Sequence, residues 1–229
     1  MTGYISKLET LGTLDGPGVR AVVFSSGCPL RCVYCHNPDT WESGDEISET
    51  ALAERIIRVY PYIKRGGVTF SGGEPCLQAE FFASLARILR ERGLHIALDT
   101  SGAVMNDGVK ELLSVTDLVL LDLKFTSEDD YLRYTGGSLS ETLAFLDYLN
   151  EKKIPVWIRH VVVPGINDEK EDILRLRDIL SPYACIEKTE LLPFRKLCTE
   201  KYESLGIPFP LLETPEMDAE KLRELEAPL

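Results

Sequence analysis

The loop "GCPLRCVYCHNP", residues 27–38, places three cysteines within eight positions and follows the third with a histidine. It comes directly after the apolar run "RAVVFSS", which is typical of a buried strand. A glycine and a proline in the loop supply bends that other residues resist, so one tight loop can turn all three thiols toward one centre. The spacing of Cys28, Cys32 and Cys35 therefore indicates a ligand set.

Four interpretations of this loop differ in what the thiols bind. "CVYCH" fits covalent haem attachment, but such attachment normally accompanies export, and the N-terminus lacks a basic region followed by an apolar run. A structural zinc site usually has two separated ligand pairs, and the sequence has no second C-x-x-C. Three unrelated buried thiols fit a loop punctuated by glycine and proline poorly. The remaining choice is a 4Fe-4S cluster, in which three thiolates leave one iron open to another molecule.

The composition of the 229 residues is that of an ordinary globular protein, with 44% hydrophobic and 27% charged residues. The length predicts a single domain over residues 1–229. No stretch of about twenty apolar residues could cross a membrane, and a net charge of −12 without a basic stripe argues against nucleic acid as a partner. With no export signal we expect a cytoplasmic protein, in which the six cysteines are ligands, catalytic groups or buried thiols rather than disulfides.

Short apolar runs alternate with amphipathic segments, as in repeated β-α units around a parallel sheet. The candidate strands are "RAVVFSSG", "GVTFSGG", "HIALDTSG", "DLVLLDLK", "VWIRHVVVPG" and "IEKTELLPF". Helical patterns lie between them at about 49–63, 79–92, 107–113, 139–152 and 168–180. Polar groups cluster where the strands end, which is where barrel enzymes build their sites. We therefore predict an α/β fold, an incomplete (β/α)6 TIM-like barrel with a parallel sheet and outer helices, rather than a doubly wound sheet.

The C-x3-C-x2-C loop after the first predicted strand resembles the signature of the radical S-adenosylmethionine (SAM) enzymes. The resemblance covers about residues 12–194 and leaves 195–229 as a C-terminal appendage. Other glycyl radical enzyme activases carry a cysteine-containing insert after the cluster loop, whereas only thirteen residues, none of them cysteine, separate Cys35 from Glu49, which favours the pyruvate formate-lyase type. The blocks similar to those of such activases, in the same order, are "GTLDGPGVRAVVFSSGCPLRCVYCHNPDTW", "GVTFSGGEPCLQAEF", "LDTSG", "DLVLLDLK", "VWIRHVVVPGINDE" and "ELLPF".

This resemblance implies an activase that reductively cleaves SAM at a 4Fe-4S cluster bound by Cys28, Cys32 and Cys35. The resulting 5′-deoxyadenosyl radical would take a hydrogen from a glycine of pyruvate formate-lyase or a close glycyl radical enzyme. The implied reductant is flavodoxin or ferredoxin, and we expect a monomer. Two alternatives stay open: a radical SAM enzyme acting on a small molecule, similar to carboxy-deazaguanine synthase, and a non-catalytic iron-sulfur electron carrier.

Several strand ends carry residues that the resemblance assigns to the SAM site. "SGGEP" would bind the methionyl amino group, and "LDLK" places a lysine where it would pair with the methionyl carboxylate. From the residues alone, Asp122 and Lys124, which share one face of a strand, are equally a structural ion pair. Arg159 and His160 point to opposite faces, and the resemblance favours Arg159 at the site. The implied cofactor-binding residues are Tyr34, His36, Gly72, Gly73, Glu74, Asp122, Leu123, Lys124, Arg159 and Glu200.

The resemblance also implies a site for a monovalent cation, Na+ or K+, near the sulfonium. Its ligands would be Asp99, Thr100, Asp122 and the Leu120 carbonyl, and oxygen ligands suit such a hard cation. Taken alone, an Asp-Thr pair at a strand end is more typical of a helix cap.

Asp15, in "LDGPG", matches a family position near the substrate glycine loop, and the predicted catalytic set is Asp15, Lys124 and the three loop cysteines. Without the resemblance, an Asp-Gly pair is simply a turn. The chain departs from the family pattern toward its C-terminus. Arg195 replaces a histidine, Cys198 replaces a glycine, and Glu200 occupies a position that contacts the cofactor as histidine. We expect Cys76 and Cys198 to be small buried or surface thiols.

Overall fold

A computed structural model describes residues 1–42 and 44–227 and has an α/β fold. Its strands are β1 (Thr2–Gly12), β2 (Arg20–Ser25), β3 (Asp45–Ser48), β4 (Gly67–Gly72), β5 (Ile96–Thr100), β6 (Leu118–Asp122), β7 (Val156–Val162) and β8 (Ile186–Pro193). Its helices are α1 (Glu49–Ile57), α2 (Tyr60–Ile63), α3 (Ala79–Arg90), α4 (Asp107–Leu113), α5 (Glu128–Thr135), α6 (Leu139–Lys152), α7 (Lys170–Leu180), α8 (Thr199–Leu205) and α9 (Ala219–Glu226). All six predicted strands are present, so the predicted α/β class is confirmed.

The sheet is mostly parallel, and its strand order is β3-β1-β2-β4-β5-β6-β7-β8. β2 pairs parallel with β4, β4 with β5, and β7 with β8, whereas β1 is antiparallel to both β2 and β3. β1 and β3 are absent from the sequence prediction. In β1, buried and exposed residues alternate only from Thr2 to Ile5 before the middle of the strand becomes partly exposed, so the period of two is weak. β3 has only four residues.

Helix boundaries follow local start and stop signals. The helix predicted over 49–63 is two helices, because Pro61 lacks an amide hydrogen and lies in the first turn of α2. α7 begins two residues later than predicted, where Glu169 forms a capping box. α5 and α8 are absent from the prediction, although Ser127 caps the start of α5 and Gly136, with φ of 73°, ends it.

The described residues form two compact units. The first unit contains residues 1–29, 39–42 and 44–120, and the second contains 30–38 and 121–227. The single domain over 1–229 stays a prediction. No helix in these ranges is both long enough and apolar enough to cross a membrane.

A buried arginine organises the amino end of the parallel strands in the first unit. Arg20, fully buried at the start of β2, donates to the Thr69 hydroxyl (2.6 Å) and to the carbonyls of Val68 (2.6 Å) and Pro17 (3.1 Å). Burial lowers the pKa of Arg20 to about 10, against the opposing effect of Asp15, so the guanidinium stays charged at neutral pH. The loop before β2 is therefore fastened to the starts of the strands.

Candidate functional site

Residues 72–74, which we call the glycine turn, lie at the end of β4. This turn packs against the end of β2 in the first unit. The Gly73 amide donates to the Ser25 carbonyl (3.0 Å), and the Glu74 amide donates to the Gly27 carbonyl (2.8 Å). Gly27 has φ of 90°, in the region that favours glycine. The turn is therefore fixed to the residues immediately before Cys28.

Side chains are excluded from this contact between two backbones. A Cβ on Gly72 would lie 2.4 Å from the Ser25 amide nitrogen, and one on Gly73 would lie 2.1 Å from the Gly27 carbonyl oxygen. Gly72 also has φ of 109°. Glycine was predicted here because it permits close approach of a ligand. The structure shows that both glycines permit close approach of the protein's own backbone.

Glu74 is fully buried, and both oxygens of its carboxylate accept hydrogen bonds from the protein. Oε1 accepts hydrogen bonds from the Thr100 hydroxyl (2.7 Å) and the Cys76 amide (3.1 Å). Oε2 accepts from both the amide (2.9 Å) and the hydroxyl (2.5 Å) of Ser101. Glu74 therefore links the glycine turn to the end of β5, and its side chain organises the site rather than facing a ligand.

Two of the predicted cation ligands end β5 and already have protein partners. Asp99 Oδ2 accepts from the Ser71 hydroxyl (2.6 Å), and the Thr100 hydroxyl oxygen accepts from the Gly102 amide (3.1 Å). Leu120 is buried in β6. Within residues 1–42 and 44–227, no group of three or more His, Cys, Asp or Glu side chains is arranged to hold a metal ion.

In the second unit, residues 30–38 of the cysteine loop run along the end of α5. The Arg31 amide donates to the Thr135 carbonyl (2.8 Å), and the Val33 amide donates to the Tyr134 carbonyl (2.9 Å). Both acceptors lie in the last turn of the helix, where carbonyls have no partner within the helix. The missed helix α5 therefore positions the loop that holds two of the three cysteines.

All six cysteines of the chain are thiols in this structure, and they differ in burial. Cys32 is buried and Cys28 and Cys35 are half-buried, and the Cys35 amide donates to the Cys32 carbonyl (3.1 Å) in a tight turn. Cys76 and Cys198 are buried, and that they are small buried or surface thiols without a further role stays a prediction.

Two cations meet one carboxylate at the end of β6, all in the second unit. Lys124 Nζ lies 3.1 Å from Asp122 Oδ2, and Arg159 Nε lies 3.1 Å from Asp122 Oδ1. The side chains of Lys124, Asp122 and Arg159 are 12%, 28% and 13% exposed. The lysine ammonium at this position suits an anionic ligand such as a carboxylate.

The pKa values in this group follow from burial and pairing. Burial raises the pKa of Asp122, but Lys124 and Arg159 more than offset that effect, so the pKa lies below its usual value. Burial lowers the pKa of Lys124, but Asp122 above all raises it well above the usual range. Asp122 and Lys124 are therefore ionised at neutral pH.

His160 lies on the opposite face of β7 from Arg159, as predicted, and is buried. Its Nδ1 donates to the Leu123 carbonyl (2.6 Å), and its Nε2 accepts from the Asn167 side-chain amide (3.1 Å). This pair of bonds requires the neutral imidazole. Burial, the largest cause, lowers the pKa of His160. A neutral histidine therefore fixes the backbone between Asp122 and Lys124.

Two buried hydroxyls have no hydrogen-bond partner in the described part of the chain, Ser25 in the first unit and Tyr34 in the second. Ser25 ends β2, and Tyr34 lies between Cys32 and Cys35, with its ring centre 6.0 Å from that of Phe125. A buried hydroxyl without a partner costs about 1–3 kcal/mol. Each oxygen therefore fits a position at which a polar ligand supplies the missing hydrogen bond.

The C-terminal segment contacts the residues that follow Cys35. His36 Nε2 donates to the Arg195 carbonyl (2.9 Å), so the predicted adenine contact is bonded to the protein's own backbone. Glu200 is exposed in the first turn of α8. Its neighbours Lys201 and Tyr202 bond to the cysteine loop instead. No motif in the sequence identifies these two residues, and the prediction missed both.

Asp15 lies at the amino end of β2, whereas Cys28 follows the carboxyl end of the same strand. Six strand residues span about 16 Å. The Asp15 carbonyl accepts from the Thr69 hydroxyl (2.6 Å) at the start of β4. The structure therefore does not bring Asp15 together with the strand ends that carry the glycine turn and the first cysteine.

Residues 22–177 match the family model described as "Radical SAM superfamily". The chain belongs to this superfamily, and the resemblance noted from the sequence is confirmed. Its particular relatives are activases: it is 44% identical over 228 residues to the "Pyruvate formate-lyase-activating enzyme" of Clostridium pasteurianum, covering 98% of this chain and 95% of that protein. It is 40% identical over 235 residues to the protein of the same name from Staphylococcus epidermidis, covering 98% and 94%.

Solved structures share the fold. Streptococcus suis SuiB bound to S-adenosylmethionine superposes with a TM-score of 0.71 at 19% identity, over 90% of this chain and 45% of that one. A domain of pyruvate-formate lyase-activating enzyme from Bacteroides vulgatus gives a TM-score of 0.59 at 23% identity, over 71% and 91%.

Replacement of Gly72 by alanine tests the close contact with Ser25. We expect Gly72→Ala to lower the free energy of unfolding by at least about 3 kcal/mol, because strain at positive φ adds to overpacking. Gly93→Ala is the matched control, since Gly93 has φ of 72° and no atom within 4 Å of an added Cβ. It should cost about 1–2 kcal/mol in urea denaturation. Equal losses in the two variants would contradict the clash.

His160 gives the stability a defined pH dependence. Because its pKa is lowered in the folded chain, the unfolded chain binds one more proton below about pH 6.5. Its contribution to the free energy of unfolding should fall by about 1.4 kcal/mol per pH unit below that value and stay constant above it. His160→Asn, whose amide can still donate to the Leu123 carbonyl, removes the titration. The stability difference between wild type and variant should shrink on acidification, and a constant difference would refute the assignment.

Proposed function

We propose that this chain is an activase that uses a 4Fe-4S cluster and SAM to install a glycyl radical on pyruvate formate-lyase. The observation that carries the proposal is identity of 40–44%, over nearly the whole length, to proteins named pyruvate formate-lyase-activating enzyme. The protein substrate would be that lyase or a close glycyl radical enzyme, the reductant flavodoxin or ferredoxin, and the activase a cytoplasmic monomer. The resemblance would place Asp15 near the glycine loop of the substrate, at the amino end of β2 and away from the first cysteine.

Cys28, Cys32 and Cys35 would bind three irons of the cluster, since thiolates are the ligands that such clusters take. When bound, the cluster and SAM supply one-electron chemistry at low potential. The chain's own residues bind and orient. The turn along α5 holds two of these cysteines, and the glycine turn holds the backbone that precedes the first.

Lys124 would bind the methionyl carboxylate through a charge-assisted hydrogen bond. The support for this role is the mostly buried ammonium of Lys124 at the end of β6, 3.1 Å from Asp122. Asp122 and Arg159 would orient that ammonium, and Leu123 would be held in place by His160. The methionyl amino group would bind main-chain atoms of the glycine turn. The cofactor-binding residues of this turn would be Gly72, Gly73 and Glu74.

Adenine and a cation complete the proposed site. Adenine would lie beside Tyr34, His36 and Glu200, and for His36 this requires giving up its bond to the Arg195 carbonyl. The cation would be monovalent, Na+ or K+, and would take the oxygen ligands that hard cations prefer. The proposed ligands are Asp99, Thr100, Leu120 and Asp122.

Anaerobic reconstitution followed by electron paramagnetic resonance tests the function. With SAM, a reductant and purified pyruvate formate-lyase, we expect a glycyl radical doublet on the lyase. Cys35→Ser should abolish the doublet, whereas Cys185→Ser should not. Bound zinc without a reducible cluster would overturn the proposal. Deoxyadenosine formed without a radical on the lyase would keep the superfamily chemistry and reject this partner, and deoxyadenosine that depends on a small molecule would favour a small-molecule enzyme.

Replacement of Lys124 by methionine tests the carboxylate contact. A hydrogen bond to a charged group contributes about 1.5–3 kcal/mol, so Lys124→Met should weaken SAM binding by about tenfold to a hundredfold. Equilibrium dialysis against the reconstituted protein measures this affinity. Lys170→Met, at the exposed first residue of α7, is the control and should bind SAM like wild type. Unchanged affinity in the Lys124 variant would remove the lysine from the site.

A further inference from the structure

Three consecutive residues of the cysteine loop are hydrogen-bonded to residues 195–202, which we call the clamp segment. Both partners of each bond belong to the second unit. The bonds run from the Tyr202 hydroxyl to the Cys35 carbonyl (3.2 Å), from His36 Nε2 to the Arg195 carbonyl (2.9 Å), and from Lys201 Nζ to Asn37 Oδ1 (2.8 Å).

Tyr202 is firmly anchored on the side away from the loop. It is 2% exposed, and its ring centre lies 4.8 Å from that of Phe209, which in turn lies 6.3 Å from that of Phe194. The Met217 amide donates to the Phe194 carbonyl (3.0 Å) and closes this small apolar core. Burial raises the pKa of Tyr202, so its hydroxyl stays protonated and remains a donor at neutral pH. The hydroxyl therefore projects from a rigid base.

The backbone of Cys35 is held on both sides. Its amide donates to the Cys32 carbonyl (3.1 Å), and its carbonyl accepts from Tyr202. With both peptide groups fixed, the direction of the Cα–Cβ bond is also fixed, and the thiol of this half-buried residue has few positions left.

We propose that Tyr202 is a positioning residue that fixes the third cysteine of the loop through its main-chain carbonyl, with the rest of the clamp segment holding the two residues that follow. That Cys35 binds iron rests on the proposed function. The clamp itself is a property of the chain and can be measured without any cluster.

Tyr202→Phe keeps the ring and removes the hydroxyl. In the metal-free protein, alkylation of each cysteine by iodoacetamide is followed by mass spectrometry of its peptides. A hydrogen bond contributes about 1 kcal/mol, so the rate at Cys35 should rise about fivefold in this variant. Cys185 reports general loosening and should react at the wild-type rate. Lys201→Met, which removes a second bond of the clamp without entering the apolar core, should accelerate Cys35 in the same direction.

Tyr183→Phe is the matched control, because the Tyr183 hydroxyl donates to the Asp147 carboxylate (2.9 Å) elsewhere in the second unit. It should leave the rate at Cys35 unchanged. In reconstituted protein, Tyr202→Phe but not Tyr183→Phe should lose iron to a chelator faster and show an altered resonance spectrum of the reduced cluster.

An unchanged rate at Cys35 in both clamp variants overturns the proposal, as does equal acceleration at Cys35 and Cys185. Wild-type protein that takes up no cluster rejects the proposed function instead, and the alkylation rates still decide whether the clamp exists.

Discussion

The contact between the glycine turn and the end of β2 is the constraint on which the first unit's part of the site depends. Ser25 and Gly72 are register partners in parallel strands, and the two backbones stay in contact beyond the last pair of the ladder. Because no Cβ fits between the two backbones, they pack directly against each other. This contact fixes the backbone position of Gly27, at which the cysteine loop begins. The Glu74 carboxylate accepts hydrogen bonds from Thr100 and Ser101 at the end of β5. The ends of β2, β4 and β5 are therefore joined through main-chain atoms and this one buried carboxylate.

In the second unit, mostly buried side chains remain charged at the end of β6. Asp122 is shared by two cations, so each of these ionised groups has an opposite charge 3.1 Å away. His160, behind the same strand end, contributes hydrogen bonds and no charge. The charged groups therefore lie on the side of β7 that carries Arg159, and the opposite side carries the neutral histidine.

Local patterns account for what the sequence predicts well. Four of the predicted strands, β2, β4, β5 and β6, are short and largely buried runs, and the cysteine loop, the glycine turn and "LDLK" are signals confined to a few adjacent residues. The sequence does not predict β1, because that strand is partly exposed. It does not predict α5, because the apolar face of that helix is narrow. The partners of His36 and Cys35 lie 159 and 167 residues away in the chain, and no periodicity encodes such pairings. The hydrogen bonds from Thr100 and Ser101 to Glu74 also join residues that are distant in the chain, so the sequence does not predict them.

Tyr34 keeps a buried hydroxyl without a partner in the part of the chain that the structure describes. Phenylalanine would fill the same space and avoid the cost of about 1–3 kcal/mol. A chain selected for thermal stability alone would therefore discard the oxygen. Any ligand that hydrogen-bonds this oxygen would return the lost stability by linkage, making the loaded protein harder to melt than the empty one.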